Sequence, residues 1–253
     1  MKIVVCKNPV ELGEKSADAA ALVLEKAISE QGSARILLST GASQFETIKA
    51  LRKKDIDWSK VEMFHLDEYI NLPETHPASF RRYLKERFVN HVNLKKAYFV
   101  NGEGNIKKNI QALTDALRKQ PIDLGIIGIG ENAHIAFNDP PADFDTKEAY
   151  IVVNLDDKCK RQQVREGWFD SIEDVPSQAI TMTPHQIMQC KTIISPVPFK
   201  VKAEAIKLTL ENELTNEIPA TLLKQHNDWT LYLDEDSSSM VDNRTIEKYL
   251  CVM

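Results

Sequence analysis

Cysteine, glycine and proline are all scarce in this chain. Its 253 residues include 4 cysteines, 9 glycines and 11 prolines. No Cys-x-x-Cys pair occurs and no histidine is interleaved at ligand spacing, so the sequence predicts neither a zinc site nor a disulfide framework. Free thiols that pack as small apolar side chains are expected instead at Cys6, Cys159, Cys190 and Cys251. The low glycine and proline content also excludes a low-complexity or fibrous chain.

Long apolar runs are absent as well. Apolar runs such as residues 124–127 and 151–153 are far shorter than the ~20 residues that cross a bilayer. The apolar run near the amino terminus ends at residue 6, which is too short for the hydrophobic region of a secretory signal. We therefore expect a cytoplasmic protein with no membrane segment.

A surplus of basic charge is missing too. Lysine and arginine together number 32, against 37 aspartate and glutamate residues, and the formal net charge is −5. Nucleic-acid binding depends on clustered Lys and Arg that release counterions from phosphates. We therefore expect no nucleic-acid partner, and any phosphate that the chain binds should belong to a small molecule.

The composition that remains is that of a globular protein, with 43% hydrophobic and 27% charged residues. No internal repeat, charged tail or Pro/Ser-rich linker divides the chain. A chain of this length buries roughly three-quarters of its unfolded surface, which is enough for a large core without disulfides or metals. The sequence predicts a single domain over residues 1–253.

Short β-rich runs alternate with longer amphipathic stretches along the chain. Extended segments are predicted at residues 2–6, 34–38, 61–65, 97–100, 122–127, 148–154, 191–195 and 229–233. Helices are predicted between them at residues 11–31, 43–52, 78–91, 106–119, 184–189 and 200–210. This alternation predicts a doubly wound α/β sheet, in which ligands bind beyond the carboxyl ends of the strands.

The first candidate site is the strand-to-helix turn Ser39-Thr40-Gly41-Ala42-Ser43. Its backbone N–H groups and hydroxyls could hold a phosphate at the positive end of the following helix. An ordinary turn with Ser43 as the helix cap explains the same residues. The turn has neither Walker spacing nor the G-x-G-x-x-G pattern of dinucleotide-binding turns, so a nicotinamide cofactor is not predicted.

The second candidate site follows the predicted strand 61–65 and contains the adjacent carboxylates Asp67 and Glu68. Consecutive side chains point in different directions, so the two carboxylates are not expected to share a role. A partly desolvated carboxylate in a pocket could transfer protons. A solvated loop charge or a helix cap is the alternative.

The third candidate site is the glycine-rich turn that follows the buried run at residues 124–127. Glycines let the backbone approach a ligand, and Asn132, His134 and Asp139 lie around this turn. An imidazole changes protonation near neutral pH, which makes His134 a catalytic candidate, although a histidine often serves only as a structural hydrogen bonder. No second His or Cys lies at ligand spacing, so no metal is predicted.

Several basic residues could clamp a phosphate. Lys158, Lys160, Arg161 and Arg165 lie in one segment, and Lys200 opens a predicted helix. Arg161 and Arg165 would share a face if their segment is helical. A solvated helix face is the alternative for such a basic run.

Taken together, these segments resemble the glucosamine-6-phosphate deaminase (isomerase) family, in the superfamily that also holds the 6-phosphogluconolactonases. The resemblance covers nearly the whole chain, and its other anchors are His76-Pro77, residues 175–182 and residues 219–223. The runs Asp67-Glu68-Tyr69 and His134-Ile135-Ala136-Phe137-Asn138 look like deaminase rather than lactonase signatures. The resemblance implies a Rossmann-like, mostly parallel sheet with helices on both faces, in three layers, and it implies no cofactor.

The activity that this resemblance implies is an aldose–ketose isomerisation with loss of ammonia, from glucosamine 6-phosphate to fructose 6-phosphate. Asp67 would carry the proton from C2 to C1 of the open-chain sugar, and His134 would assist ring opening beside Asn132 and Asp139. The phosphate of this amino sugar would be held by Thr40, Gly41, Ala42, Ser43 and Lys200, with Arg161 or Arg165 as a further clamp.

Four positions depart from the family's pattern. Asn132 replaces an Asp, and because an amide carries no charge its expected role is to orient His134 by hydrogen bonding. Asp139 replaces a Glu, which would move the carboxylate by about 1 Å. Ala133 replaces a Gly, at a cost of roughly 1–2 kcal/mol if its φ is positive. Ala42 stands where a phosphate-binding Ser is common.

Two alternative functions stay open from the sequence. A 6-phosphogluconolactonase-type hydrolase would need a water-activating histidine but no base at Asp67. A non-catalytic sugar-phosphate sensor would have to act through a protein partner, because a sheet that starts at Lys2 leaves no room for an amino-terminal helix-turn-helix. The stereochemistry of the substrate and assembly into a homo-oligomer are also left open.

Overall fold

The computed structural model describes residues 1–249. Its strands are β1 (Lys2–Cys6), β2 (Ala34–Leu38), β3 (Val61–His65), β4 (Asp67–Tyr69), β5 (Lys96–Tyr98), β6 (Leu124–Ile126), β7 (Tyr150–Asn154), β8 (Gln178–Met182), β9 (Thr192–Val197) and β10 (Trp229–Asp234). Its α-helices are α1 (Pro9–Gln31), α2 (Phe45–Leu51), α3 (Phe80–Arg87), α4 (Ile106–Leu117), α5 (Asp157–Arg165), α6 (Pro184–Ile187), α7 (Ala203–Glu211), α8 (Glu235–Ser238) and α9 (Asn243–Tyr249). Short 3₁₀ helices occur at Ala42–Gln44, Trp58–Lys60, Val89–His91, Lys200–Lys202 and Pro219–Gln225.

Seven strands form the central sheet in the order β1-β10-β9-β6-β2-β3-β5, and every neighbouring pair is parallel. The chain adds β3 and β5 on one side of β2, then adds β6, β9 and β10 on the other side. The direction of winding therefore reverses between β2 and β6. The predicted doubly wound sheet is confirmed, and the central sheet is parallel throughout.

The two faces of this sheet carry separate cores, because successive side chains of a strand point to opposite faces. On one face, Ile36 and Leu38 of β2 pack with side chains of α1, α2 and α3, such as Leu24. On the other face, Leu37 of β2 packs with side chains of α4 and α7, such as Leu117. The predicted three-layer arrangement follows from this division.

A small antiparallel sheet of order β4-β8-β7 lies outside the central sheet. Asp67 of β4 pairs with Thr181 of β8, which is far along the chain. Neither β4 nor β8 is predicted from the sequence: β4 has only three residues, and its pairing partner β8 is distant along the chain. This sheet decides where the residues of the second candidate site point.

Several helices begin or end at residues other than the predicted ones, and local capping residues explain some of these differences. The helix predicted from residue 11 begins at Pro9, because the side chain of Asn8 accepts hydrogen bonds from Val10 N and Glu11 N, both at 3.0 Å. The helix predicted over 78–91 begins after its cap Ser79 and ends at Arg87. The helices α5, α8 and α9 have no counterpart among the predicted elements.

Three of the four cysteines confirm the prediction of free thiols, since Cys6, Cys159 and Cys190 are buried and unbridged. Cys251 lies outside the described residues. Within residues 1–249, every helix is too short or too polar to span a bilayer.

Candidate active site

A cavity of about 330 Å³ lies where the winding of the central sheet reverses. Its lining comes from residues 39–43 after β2, Leu66 and Asp67 after β3, residues 128–131 and His134 after β6, Phe199, Val201 and Lys202 after β9, and side chains of α3 and α5. The volume suits a small molecule. All three candidate segments from the sequence, which are far apart along the chain, therefore contribute to one site.

Asp67 lies in this cavity because β4 pairs with β8 directly after the end of β3. Its side chain is buried, and its Oδ1 atom accepts no hydrogen bond from any residue between 1 and 249. Burial, and secondarily the charge of Glu68, raise the pKa of Asp67 well above its usual value. A raised pKa makes the ionised carboxylate a stronger base.

Glu68 points away from the cavity and caps the start of α3. Its carboxylate accepts hydrogen bonds from Ser79 Oγ at 2.9 Å, Arg81 N at 2.8 Å and Phe80 N at 3.2 Å. The side chain of Arg81 adds an ion pair at 3.3 Å. The two adjacent carboxylates therefore lie in different environments. Glu68 acts as a helix cap, which is one of the alternatives that the sequence left open for this segment.

The backbone of the turn after β6 brings His134 back over Gly130. Gly130 N donates to His134 O at 2.8 Å, and Ala133 N donates to Gly130 O at 3.1 Å. A Cβ atom on residue 130 would lie 2.2 Å from Nε2 of His134, so only glycine leaves room for the imidazole. Ala133 has a φ of 63°, which carries the expected strain of roughly 1–2 kcal/mol for a residue with a Cβ atom.

Asp139 and Asn132 hold the imidazole of His134. Nδ1 of His134 lies 2.8 Å from Oδ1 of Asp139, and Nδ2 of Asn132 donates to the same oxygen at 3.0 Å. Oδ1 of Asn132 in turn accepts from His134 N at 3.2 Å. With the carboxylate at Nδ1, the neutral ring carries its proton there and leaves Nε2 as an acceptor.

Asp139 stays ionised in this arrangement. Burial by itself would raise the pKa of Asp139, but the hydrogen bond and charge of His134 and the hydrogen bond from Asn132 bring the pKa below its usual value. Neither Asn132 nor Asp139 lines the cavity. Both therefore contact His134 rather than the space that a ligand would occupy.

The turn after β2 also lines the cavity, with Thr40, Gly41, Ala42 and Ser43. Ser39 also lines it, and its Oγ atom is buried without a hydrogen-bond partner among the described residues. Ser39 is not among the residues predicted to bind phosphate, although it belongs to the same segment. A buried, unpaired hydroxyl is free to bond with a ligand.

Lys202, which is not predicted from the sequence, supplies the buried cation of the site. It is only 6% exposed, and within residues 1–249 its Nζ atom has no ion-pair or hydrogen-bond partner. Burial lowers the pKa of Lys202, while the charges of Glu166 and Glu131 act in the opposite direction. An anion in the cavity would provide the missing partner.

The predicted cation Lys200 lies outside the lining, and its Nζ atom donates to Ser239 Oγ at 2.6 Å. A 3₁₀ helix joins Lys200 to Lys202, so the two side chains leave the turn in different directions. No local pattern in the sequence distinguishes Lys202 from Lys200. The structure brings Lys202, rather than Lys200, to the cavity.

Of the two arginines in α5, Arg165 lines the cavity and Arg161 does not. The guanidinium of Arg165 forms an ion pair with Glu131, which also lines the cavity. Arg161 is exposed to solvent. A clamp from α5 would therefore come from Arg165, after its release from Glu131.

No group of three or more His, Cys, Asp or Glu side chains suited to a metal ion occurs among residues 1–249. The prediction that the site needs neither a metal nor a cofactor stays a prediction.

Comparison with known proteins connects this geometry to one family. Residues 7–232 match the sequence model of the glucosamine-6-phosphate isomerases/6-phosphogluconolactonase family. A glucosamine-6-phosphate deaminase of Thermoanaerobacter sp. strain X514 is 35% identical, over 98% of this chain and 98% of the relative. The glucosamine-6-phosphate deaminase of Clostridium botulinum strain Eklund 17B is 36% identical, over 96% and 97% of the two chains.

Solved structures agree with this match. A monomeric glucosamine-6-phosphate deaminase superposes with a TM-score of 0.85 at 27% identity, covering 95% of this chain and all of the other. A 6-phosphogluconolactonase from Shewanella baltica superposes with a TM-score of 0.76, but at 19% identity it shows only a shared fold. The family resemblance inferred from the sequence motifs is confirmed.

Proposed function

We propose that this chain, which belongs to the glucosamine-6-phosphate isomerases/6-phosphogluconolactonase family, converts glucosamine 6-phosphate and water into fructose 6-phosphate and ammonium. One observation carries the proposal: the cavity combines the carboxylate of Asp67, whose buried Oδ1 atom is unpaired, with the imidazole of His134 and the ammonium of Lys202, a residue that is only 6% exposed. These three groups match a proton transfer at carbon, a proton transfer at oxygen and an anion site.

In the proposed reaction, Lys202 and the turn at residues 39–43 bind the phosphate and orient the sugar. His134 Nε2 takes the proton of the O1 hydroxyl and delivers a proton to the ring oxygen as the C1–O5 bond breaks, which leaves an open-chain aldehyde. The proton on Nδ1 stays with the imidazole through its bond to Asp139.

Asp67 then removes the C2 proton of the open-chain sugar, and the electron pair forms a C1–C2 double bond while O1 takes a proton from the C2 ammonium group of the substrate. Return of the proton from Asp67 to C1 produces a 2-iminium ion. Water adds to C2 of this iminium ion, a proton passes from the added water to the nitrogen, the C–N bond breaks as C2 becomes the ketone carbon, and the nitrogen leaves as ammonium. A base with a raised pKa suits the removal of a proton from carbon.

A lactonase has no need of a carbon base, and a sensor has no need of a proton-transfer pair beside its anion site. The buried environment of Asp67 therefore favours the deaminase over both alternatives. No observation in the structure favours either alternative independently.

The test is incubation of the purified protein with glucosamine 6-phosphate, with ammonium and fructose 6-phosphate both measured. We expect the two products in equal amounts. Galactosamine 6-phosphate and 6-phosphogluconolactone serve as parallel substrates. Turnover of the lactone alone would establish a hydrolase, and binding of glucosamine 6-phosphate without turnover of any of the three would establish a sensor.

The single-domain organisation, the cytoplasmic location and assembly into a homo-oligomer are not tested by these observations and stay predictions. So does the absence of a nucleic-acid partner, which agrees with the net charge of −5.

A further inference from the structure

Phe199 lies directly after β9 in a backbone conformation that is costly for its residue type. Its φ is 85° and its ψ is 143°. Residues with a Cβ atom rarely adopt positive φ, and an aromatic residue does so less readily than Asn or Asp. This part of conformational space is populated almost entirely by glycine.

The fold requires this conformation because Phe199 connects two fixed groups. Its backbone N lies 3.2 Å and 3.1 Å from the two carboxylate oxygens of Asp234, which is buried and also caps α8. Its carbonyl accepts a hydrogen bond from Lys202 N at 3.0 Å. The peptide geometry at residue 199 therefore sets the turn that places Lys202, and glycine would provide that geometry without strain.

The side chain of Phe199 does not stabilise the core in return for this strain. The ring is half-buried, belongs to none of the three apolar clusters, and stacks on no other aromatic side chain among residues 1–249. Phe199 instead lines the cavity, as do Val201, which is 57% exposed, and the buried Lys202. Its apolar side chain therefore belongs to a residue that borders the cavity beside a buried cation.

We propose that Phe199 is a substrate-positioning residue whose ring covers the phosphate end of a bound sugar phosphate and excludes water from the contact between Lys202 and the phosphate. Excluding water strengthens an ion pair because the local dielectric falls. The strained phenylalanine at residue 199 thus contributes to ligand binding and not to the stability of the fold. The proposal rests on the phosphate-binding part of the proposed function, but not on its deamination step.

Two variants separate the strain from the ring. F199A keeps a Cβ atom at positive φ and removes the ring, whereas F199G removes both. We expect both variants to raise KM for glucosamine 6-phosphate by about tenfold, a change near 1.4 kcal/mol, while kcat changes much less. We expect the Tm of F199G to exceed that of F199A by about 2–4 °C, because glycine relieves the strain.

Asn71 offers a matched control. It is exposed, has a φ of 62° and does not line the cavity. N71G also places a glycine at positive φ, and it should leave KM unchanged. A rise in KM that occurs only in the variants of Phe199 would therefore come from the lost ring.

Binding of inorganic phosphate and of fructose 6-phosphate, measured by calorimetry, tests the same proposal without turnover. Both affinities should fall in F199A and F199G, and they should become more sensitive to added salt because water reaches the ion pair. Phosphate and sugar-phosphate affinities within twofold of wild type in both variants would overturn the proposal. A Tm of F199A that falls by more than about 5 °C would also overturn it, because the ring would then be part of the core. A wild-type protein that binds these ligands but does not deaminate would overturn only the proposed function.

Discussion

Asp67 and Glu68 are neighbours in β4, yet only Asp67 lines the cavity. The carboxylate of Glu68 is occupied by hydrogen bonds from the start of α3, whereas Oδ1 of Asp67 has no partner among residues 1–249. Asp67 is therefore available for proton transfer in the cavity, whereas Glu68 stabilises the fold.

The first prediction contrasts these two residues. D67N should lose about 10²–10⁴-fold in kcat while it still binds substrate, because an amide cannot take the C2 proton. E68Q should instead lose about 1–3 kcal/mol of unfolding free energy, because its amide would present a donor to the backbone N–H groups of α3. Steady-state kinetics and denaturant unfolding check both variants. Equal turnover in D67N and wild type would remove Asp67 from the role of base.

The second prediction concerns pH and stability. The folded state raises the pKa of Asp67, so it retains a proton that the unfolded state releases. Stability should therefore fall as pH rises from the unfolded pKa of about 3.9 through the higher folded pKa. The amide of D67N does not ionise, so this variant does not lose stability in this way. Its Tm should approach that of wild type near pH ~4 and exceed it increasingly at higher pH. A constant difference in Tm across this range would contradict the raised pKa.

The third prediction concerns the support of His134. D139N should lower kcat by about 10²-fold or more, because an amide facing Nδ1 favours the ring form with its proton on Nε2. Substrate affinity should change far less, because Asp139 does not line the cavity. A large rise in KM with an unchanged kcat would be inconsistent with this positioning role.

N132D and D139E test the departures from the family's pattern in the same kinetic measurement. Each restores the residue type that the family usually has. If neither changes kinetics by more than about threefold, roughly 0.7 kcal/mol in the barrier, then neither departure tunes catalysis.

The fourth prediction compares two lysines of one turn. K202M should raise KM roughly 10- to 150-fold through loss of a charge-assisted bond to the phosphate. The same change should raise the Tm of the unliganded protein, because burial lowers the pKa of Lys202 and its ammonium has no partner within residues 1–249. K200M is the matched control and should alter KM little, since its ammonium bonds to Ser239. Thermal unfolding with and without inorganic phosphate provides an independent measure: phosphate should stabilise wild type and K200M but not K202M. Similar KM values for the two variants would remove Lys202 from the phosphate site.

Much of the fold follows from local patterns. The bounds of β1, β2 and β3 agree with those predicted, because strands buried in a parallel sheet are short, nearly continuous apolar runs between polar turns. The ends of helices are less predictable. The predicted helix 78–91 is divided between α3 and a 3₁₀ turn at Val89–His91, a distinction that depends on packing rather than on periodicity.

The candidate site is predictable as segments but not as side chains. The turns that contain Asp67, His134 and residues 39–43 follow strands, and the carboxyl ends of parallel strands meet at one edge of the sheet. The choice between Arg161 and Arg165 could not follow from sequence, because both could lie on the same face of α5. Lys202 is not predicted, and Ser39 is not singled out within its segment, because burial is a property of the folded chain.

The fold class, the family and the segments that surround the cavity follow from local properties of the chain, namely hydrophobic periodicity and short motifs. Which neighbour in each segment lines the cavity depends instead on how the folded elements pack. Pairing of β4 with β8 directs Asp67 inward, and the 3₁₀ turn after the strained Phe199 directs Lys202 inward. Both choices depend on contacts between residues distant in sequence, including Thr181 and Asp234, and no local pattern records such contacts.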